Sequence, residues 1–211
     1  PLLKKPSLKS EELANFRPVS NLSFISKVIE KVVASRLLDH MVENDLLEPF
    51  QSAYKSGHST ETALLRVHND IVNAVDQKQG VCLVLLDLSA AFDTVDHDIL
   101  LEFLKTHIGL DGPVLALFQS YLSGRTQCVS VAGVMSELSE LAFGVPQGSV
   151  LGPIEFCIYT IPLGAIMKYY NISYHIYADD TQLYLTFDLN SLSESLQSLT
   201  KCISDIRSSI I

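Results

Sequence analysis

Cysteine is scarce and never paired. Cys82, Cys128, Cys157 and Cys202 lie about 30 to 45 residues apart, and no C-x-x-C occurs. That spacing excludes both a disulfide framework and a zinc site of ordinary pattern. Three of the four sit in apolar runs, so buried thiols in a reducing intracellular compartment are expected. An unbroken hydrophobic run is also missing. Ser149 to Met167 is mostly apolar, but Gly152, Pro153, Glu155, Pro162 and Gly164 interrupt it, and no basic cluster flanks it. A charge at the centre of a membrane helix costs about 3 kcal/mol. A buried core helix is therefore expected over a membrane span. No signal peptide, repeat or low-complexity tract is visible. The six histidines show no ligand spacing, and none is assigned a role.

Basic charge is in short supply as well. The formal net charge is −9, which at first argues against a nucleic-acid partner. Its distribution is uneven. Residues 1–66 carry 9 basic and 8 acidic residues, net +1, whereas residues 67–211 carry 6 and 16, net −10. A metal site in the second part would offset some of that acidity. The chain begins at Pro1 and ends in an apolar-periodic stretch at Ile210-Ile211, which reads as a piece of a longer polyprotein.

What is present gives an irregular alternation of strands and helices, the α+β class. Ile25, Val28, Ile29, Val32 and Val33 recur at helical spacing, continued by Leu37, Leu38, Met41 and Val42, and predict an amphipathic helix with that stripe inward. Ser59 or Thr60 can cap a second helix bearing Leu64, Val67, His68, Ile71, Val72 and Val75. Val81 to Leu86 is a continuous apolar run stopped by Asp87, the pattern of a strand buried on both faces. Helices are expected over Asp98–His107 and Asp111–Leu122, then paired strands over Thr126–Val131 and Glu137–Val145 and a long helix from about Val150. Tyr174–Ala178 and Thr181–Phe187 flank Asp179-Asp180 as a hairpin. A last helix carries Leu192, Leu196, Leu199, Ile203, Ile206 and Ile210.

Two features carry chemistry. Asp87 ends a strand, and Asp179-Asp180 occupies a hairpin tip; both hold carboxylates on rigid backbone. Magnesium takes hard oxygen ligands, often one or two carboxylates plus substrate phosphates. Two such ions about 4 Å apart can serve phosphoryl transfer. Taken singly, each Asp is equally at home as a cap or turn residue. Asp93, Asp96 and Asp98 are read in that plainer way.

The surrounding wording is more specific. Val84 to Asp93 reads V-L-L-D-L-S-A-A-F-D, Phe143 to Pro153 reads F-G-V-P-Q-G-S-V-L-G-P, and Tyr177 to Tyr184 reads Y-A-D-D-T-Q-L-Y. With F-R-P-V-S at Phe16 to Ser20, S-K-V-I-E-K-V-V-A-S-R-L from Ser26, and F-Q-S-A-Y-K-S-G-H-S-T from Phe50, these blocks cover nearly the whole chain. The chain resembles the reverse transcriptases of LINE-type (non-LTR) retrotransposons, near the jockey-like animal elements.

That resemblance implies a right-hand polymerase: fingers in residues 1–80 and palm in residues 81–211, with an antiparallel palm sheet backed by helices and no thumb. It implies that Asp87, Asp179 and Asp180 are the palm carboxylates. Asp87 and Asp179 would be the main metal ligands, helped by the Leu88 carbonyl and supported by Asp180. The cofactor would be two Mg²⁺ ions, with Mn²⁺ as a substitute. Phe92 matches the family's sugar gate. Gln147 and Gly148 match the loop along the incoming nucleotide, and Arg17 and Lys55 fall in the triphosphate-contacting blocks. The implied partners are an RNA template, a DNA primer and deoxynucleoside triphosphates, in the nucleus or cytoplasm and away from membranes.

Two residues depart from the pattern. Lys55 stands where the family usually has arginine; it keeps the charge and loses the bidentate fork. Glu155 puts a charge where the family has an apolar helix residue. A competing reading follows, a catalytically inactive remnant that persists as a nucleic-acid- or protein-binding scaffold.

Overall fold

The computed structural model describes residues 2–9, 11–12, 15–88, 90–131, 133–188 and 191–210, the last by its backbone. Pro1 and Ile211 lie outside the described residues. The elements are β1 (Leu2–Leu3), β2 (Phe16–Arg17), α1 (Phe24–Glu43), α2 (Thr60–Asp76), β3 (Gly80–Leu86), a 3₁₀ turn (Ala91–Asp93), α3 (His97–Thr106), α4 (Gly112–Leu122), β4 (Thr126–Gln127), β5 (Ser130–Val131), β6 (Val134–Met135), β7 (Ser139–Glu140), α5 (Gly152–Tyr169), β8 (Ser173–Tyr177), β9 (Asp180–Phe187) and α6 (Leu192–Ile210). They form two compact units, Pro1–Leu46 with Ala90–Tyr159, and Leu47–Ser89 with Thr160–Ile211.

In the first unit Ser23 caps α1, accepting from the Ser26 amide. The stripe expected to face inward does so only in part, at Leu37 and Met41. Ile25, Val28, Ile29 and Val32 are exposed, and the buried seam is Glu30, Ala34, Leu37 and Met41. The physical reason is Glu30. Its carboxylate accepts hydrogen bonds from the Val150 and Leu151 amides at 2.6 and 3.2 Å and from the Ser26 hydroxyl at 2.9 Å. Those amides precede α5, where a helix start carries unpaired N–H groups and favours negative charge. Asp96 caps α3, accepting from the Asp98 and Ile99 amides, as its cap reading required. Of the paired strands expected over Thr126–Val131 and Glu137–Val145, the pairing holds only as the short ladder of β4 with β7, while β5 pairs with β6.

In the second unit the sheet order is β3-β9-β8, antiparallel throughout. The core lies on one face, where Leu163, Met167, Ile172, Tyr174, Ile176, Leu183, Leu199, Cys202 and Ile206 cluster. Cys82, Val84 and Leu86 pack against it; their alternation sends Leu83 and Leu85 to the opposite face. There they are exposed, so β3 is not buried on both sides as its continuous apolar run predicted. Ser59 and Thr62 form a reciprocal capping box at the start of α2. That helix buries the small residues Ala63 and Ala74 with Val67, and leaves Leu64, Val72 and Val75 exposed. Among the described residues no helix is long and apolar enough to cross a membrane.

Candidate active site

The β3–β9 ladder ends with Leu86 opposite Thr181, and the β8–β9 ladder ends with Tyr177 opposite Asp180. Two consequences follow from register. Ala178 and Asp179 alone connect β8 to β9. Asp87 is the next residue after Leu86 and Asp180 the residue before Thr181, so the two flank the last pair of that ladder. One end of the sheet thus carries all three carboxylates, with Asp87 and Asp180 exposed and Asp179 half-buried. Asp87 follows directly on β3, whose open face carries Leu83 and Leu85. The connection is tight: Ala178 adopts φ 56°, in the left-handed region that non-glycine residues seldom occupy.

The electrostatics agree with the register. The Asp180 carboxyl is raised above its ordinary value, by partial burial first and then by the charges of Asp179 and Asp87. Cations would relieve that mutual repulsion. Among the described residues no three His, Cys, Asp or Glu side chains gather closely enough to hold a metal ion. Magnesium commonly uses one or two carboxylates and takes its remaining oxygens from substrate phosphates and water. The hard oxygens of Asp87, Asp179, Asp180 and the Leu88 carbonyl fit that donor set. Ser89, two residues on, lies outside the described residues.

The nucleotide-binding candidates divide between the units. Phe92, Gln147, Gly148 and Arg17 belong to the first. The Val145 amide donates to the Phe92 carbonyl at 2.8 Å, and the Gly144 amide to the Val95 carbonyl at 2.8 Å. A Cβ on Gly144, which has φ 87°, would lie 2.9 Å from the Asp93 Cα. The A-A-F-D and V-P-Q-G blocks are therefore fastened together, and the Gln147 amide donates to Asp93 Oδ1 at 3.1 Å. The Ser20 amide donates to the Gln147 carbonyl at 2.8 Å, which draws in the end of F-R-P-V-S. Gly148 has φ 98°, where a side chain is strained. Arg17 is exposed on β2. Lys55, in the second unit, is half-buried just after Tyr54 with φ 57°.

The sequence reading took Lys55 from F-Q-S-A-Y-K and passed over Gln51 in the same block. Gln51 is buried, and its amide bonds both backbone groups of Ala178. The signal was an uncharged polar residue directly after an aromatic, which carries no distinctive periodicity. Of the histidines, His40, His97 and His175 bond the Ile108 carbonyl, the Gly144 carbonyl and the Ser52 hydroxyl, which are packing roles.

Known proteins resemble this chain in sequence and in fold. Residues 3–210 match the family described as reverse transcriptase (RNA-dependent DNA polymerase). The chain is 36% identical over 181 residues to a probable RNA-directed DNA polymerase from transposon X-element of Drosophila melanogaster, covering 85% of this chain and 20% of that protein. It is 32% identical over 210 residues to a probable RNA-directed DNA polymerase from transposon BS of the same organism, covering 97% of this chain and 23% of that one. The chain spans about a fifth of the length of these curated relatives. The solved structure of apo telomerase from Candida tropicalis, truncated from its C-terminal domain, shares the fold with TM-score 0.62 at 15% identity, over 85% of this chain and 37% of that one. The chain belongs to the reverse transcriptase (RNA-dependent DNA polymerase) family, among the reverse transcriptases of non-LTR retrotransposons of the jockey type.

Proposed function

We propose that this chain is the fingers-and-palm core of a polymerase that copies an RNA template into DNA from a DNA primer. Fingers would come from residues 1–80 and palm from residues 81–211. In the reaction the primer 3′-hydroxyl attacks the α-phosphate of a deoxynucleoside triphosphate and pyrophosphate leaves. Asp87 and Asp179, with the Leu88 carbonyl, are the residues that would hold magnesium or manganese, and Asp180 supports them. When bound, a metal pair activates the attacking hydroxyl and stabilises the leaving oxygen. Phe92 bars a ribose 2′-hydroxyl, Gln147 and Gly148 lie along the incoming nucleotide, and Lys55 and Arg17 hold its triphosphate. The setting is intracellular, in nucleus or cytoplasm.

The observation that carries this reading is the pairing register: Leu86 pairs with Thr181 and Tyr177 with Asp180, which leaves Asp87, Asp179 and Asp180 at one end of the sheet. The test is primer extension on an RNA template with Mg²⁺, using the longest natural polypeptide that contains this chain. Extension is expected from that protein and none from its Asp179→Asn variant. Equal extension by both would contradict the assignment.

One observation favours the inactive-remnant reading. Glu155 is fully buried, and among the described residues neither carboxyl oxygen has a hydrogen-bond partner. Such a group weakens the unit that holds Phe92 and Gln147. Extension that appears only after Glu155→Leu would support that reading.

A further inference from the structure

The turn that carries Asp179 is held by a side chain from elsewhere in the sequence. Gln51 lies 127 positions before Ala178, yet its Oε1 accepts from the Ala178 amide at 3.0 Å and its Nε2 donates to the Ala178 carbonyl at 3.3 Å. The same Oε1 accepts from the Ala53 amide at 2.9 Å, which fixes the side chain on its own backbone. Around it the segment Phe50–Ser52 lies along β8. The Ile176 amide donates to the Phe50 carbonyl at 2.9 Å, the Ser52 amide to the Ile176 carbonyl at 2.9 Å, and Ser52 Oγ pairs with His175 Nε2 at 2.9 Å. A parallel bridge joins Gln51 to Ile176.

Ala178 needs such a partner. Its left-handed φ costs about 1 kcal/mol for a residue with a Cβ, and it is buried, so its peptide groups would otherwise face no water. A primary amide is suited to the task, since it offers one donor and one acceptor in one plane. Glutamate offers only acceptors when ionised, and an aliphatic residue offers neither. Asp179 and Asp180 follow directly, so the conformation of Ala178 sets where the Asp179 carboxylate points.

We propose that Gln51 is a positioning residue: by binding both backbone groups of Ala178 it aims Asp179 for metal binding and nucleotide transfer. This rests on the polymerase reading for its consequence and on the hydrogen bonds for its geometry. Supports around a ligand typically govern about 10- to 100-fold in metal affinity or activity.

The test reads three quantities in the longest natural polypeptide containing this chain: hydrogen exchange at the Ala178 amide, Mn²⁺ affinity, and kcat and KM for a single deoxynucleotide. The variants are Gln51→Met, which removes both bonds, and Gln51→Glu, which keeps only acceptors. Protection of the Ile176 amide, which the Phe50 carbonyl accepts, reports whether the fold survives. The expected result for Gln51→Met is loss of protection at Ala178 with Ile176 still protected. Mn²⁺ binding weakens and kcat falls, each about tenfold or more, with KM for the nucleotide little changed. Gln51→Glu retains Ala178 amide protection yet also loses Mn²⁺ affinity. Unchanged exchange at Ala178 in Gln51→Met overturns the geometry. Lost protection with unchanged Mn²⁺ affinity and kcat overturns the positioning role. If Asp179→Asn also leaves Mn²⁺ affinity and kcat untouched, the polymerase reading of the carboxylates fails instead.

Discussion

The ring of Phe92 stacks on the ring of Phe156, with centroids 4.7 Å apart and planes 23° from parallel. Phe92 projects from the 3₁₀ turn and stays half-buried, while Phe156 on α5 is fully buried. A half-buried ring supported on one face can act by steric exclusion. Phe92→Val should therefore raise ribonucleotide incorporation relative to deoxynucleotide by about tenfold or more. Phe156→Ala should raise it in the same direction, by less, because the gate loses its backing. Competition between the two nucleotide types measures both. An unchanged ratio in Phe92→Val would make the ring core packing and nothing else.

Glu155 makes stability depend on pH with a definite sign. Burial, and then the Glu30 charge, push its carboxyl up from 4.5 to about 8, against a smaller opposing effect of Arg125. The folded state therefore binds the proton more tightly than the unfolded chain. Stability is highest below the unfolded pKa near 4.5 and falls as pH rises towards 8. By pH 7 the loss amounts to roughly 3 kcal/mol. Glu155→Leu should stabilise the protein by about that much more at pH 7 than at pH 4. Chemical denaturation at the two pH values measures the difference, and an equal gain at both would remove the carboxylate as its cause.

The acidic end of the sheet gives a titration prediction. Asp180 is raised in part by Asp87 and Asp179. Asp87→Asn should lower the Asp180 pKa, and saturating Mg²⁺ should lower it further. Carbon-detected NMR titration of the side-chain carboxyl reads both changes. A rise, or no response to Asp87→Asn, would mean the two groups do not converge.

Lys55→Arg tests the departure in F-Q-S-A-Y-K. Restoring the planar fork should lower KM for the incoming triphosphate several-fold, roughly threefold, with kcat little changed. Steady-state kinetics on one template position decides it, and a lower kcat with unchanged KM would place Lys55 outside triphosphate binding.

How much of this was legible in the sequence differs by element. The Y-A-D-D hairpin, the capped helices and the existence of strand β3 were readable because turn residues, caps and short apolar runs are local signals. The facing of the first half of α1 was not. Periodicity marks an apolar side of a helix, but what lies against it is a tertiary matter, and here Glu30 turns inward because the amides ahead of α5 need an acceptor. The same limit applies to α2, which buries the small Ala63 and Ala74 beside the expected Val67. The burial expected for both faces of β3 failed at Leu83 and Leu85. Contiguous apolar residues there reflect an open face beside Asp87. Asp93 was read as turn chemistry, and its bond with Gln147 spans 54 positions that no local pattern links. Gln51 escaped for the same reason.

The central claim is that Asp87, Asp179 and Asp180 act as one metal-binding set for nucleotide transfer. Single-turnover addition of one deoxynucleotide to a primer on an RNA template tests it most directly. The measurement compares the longest natural polypeptide with its Asp87→Asn, Asp179→Asn and Asp180→Asn variants at saturating Mg²⁺. The account predicts that Asp87→Asn and Asp179→Asn each slow the step by about a thousandfold or more, the scale on which electrostatic stabilisation is lost. Asp180→Asn should slow it less. The double variant of Asp87 and Asp179 should be little worse than either alone, because groups that act as a unit are not additive. A rate within about tenfold of the parent in Asp87→Asn or Asp179→Asn would contradict the account.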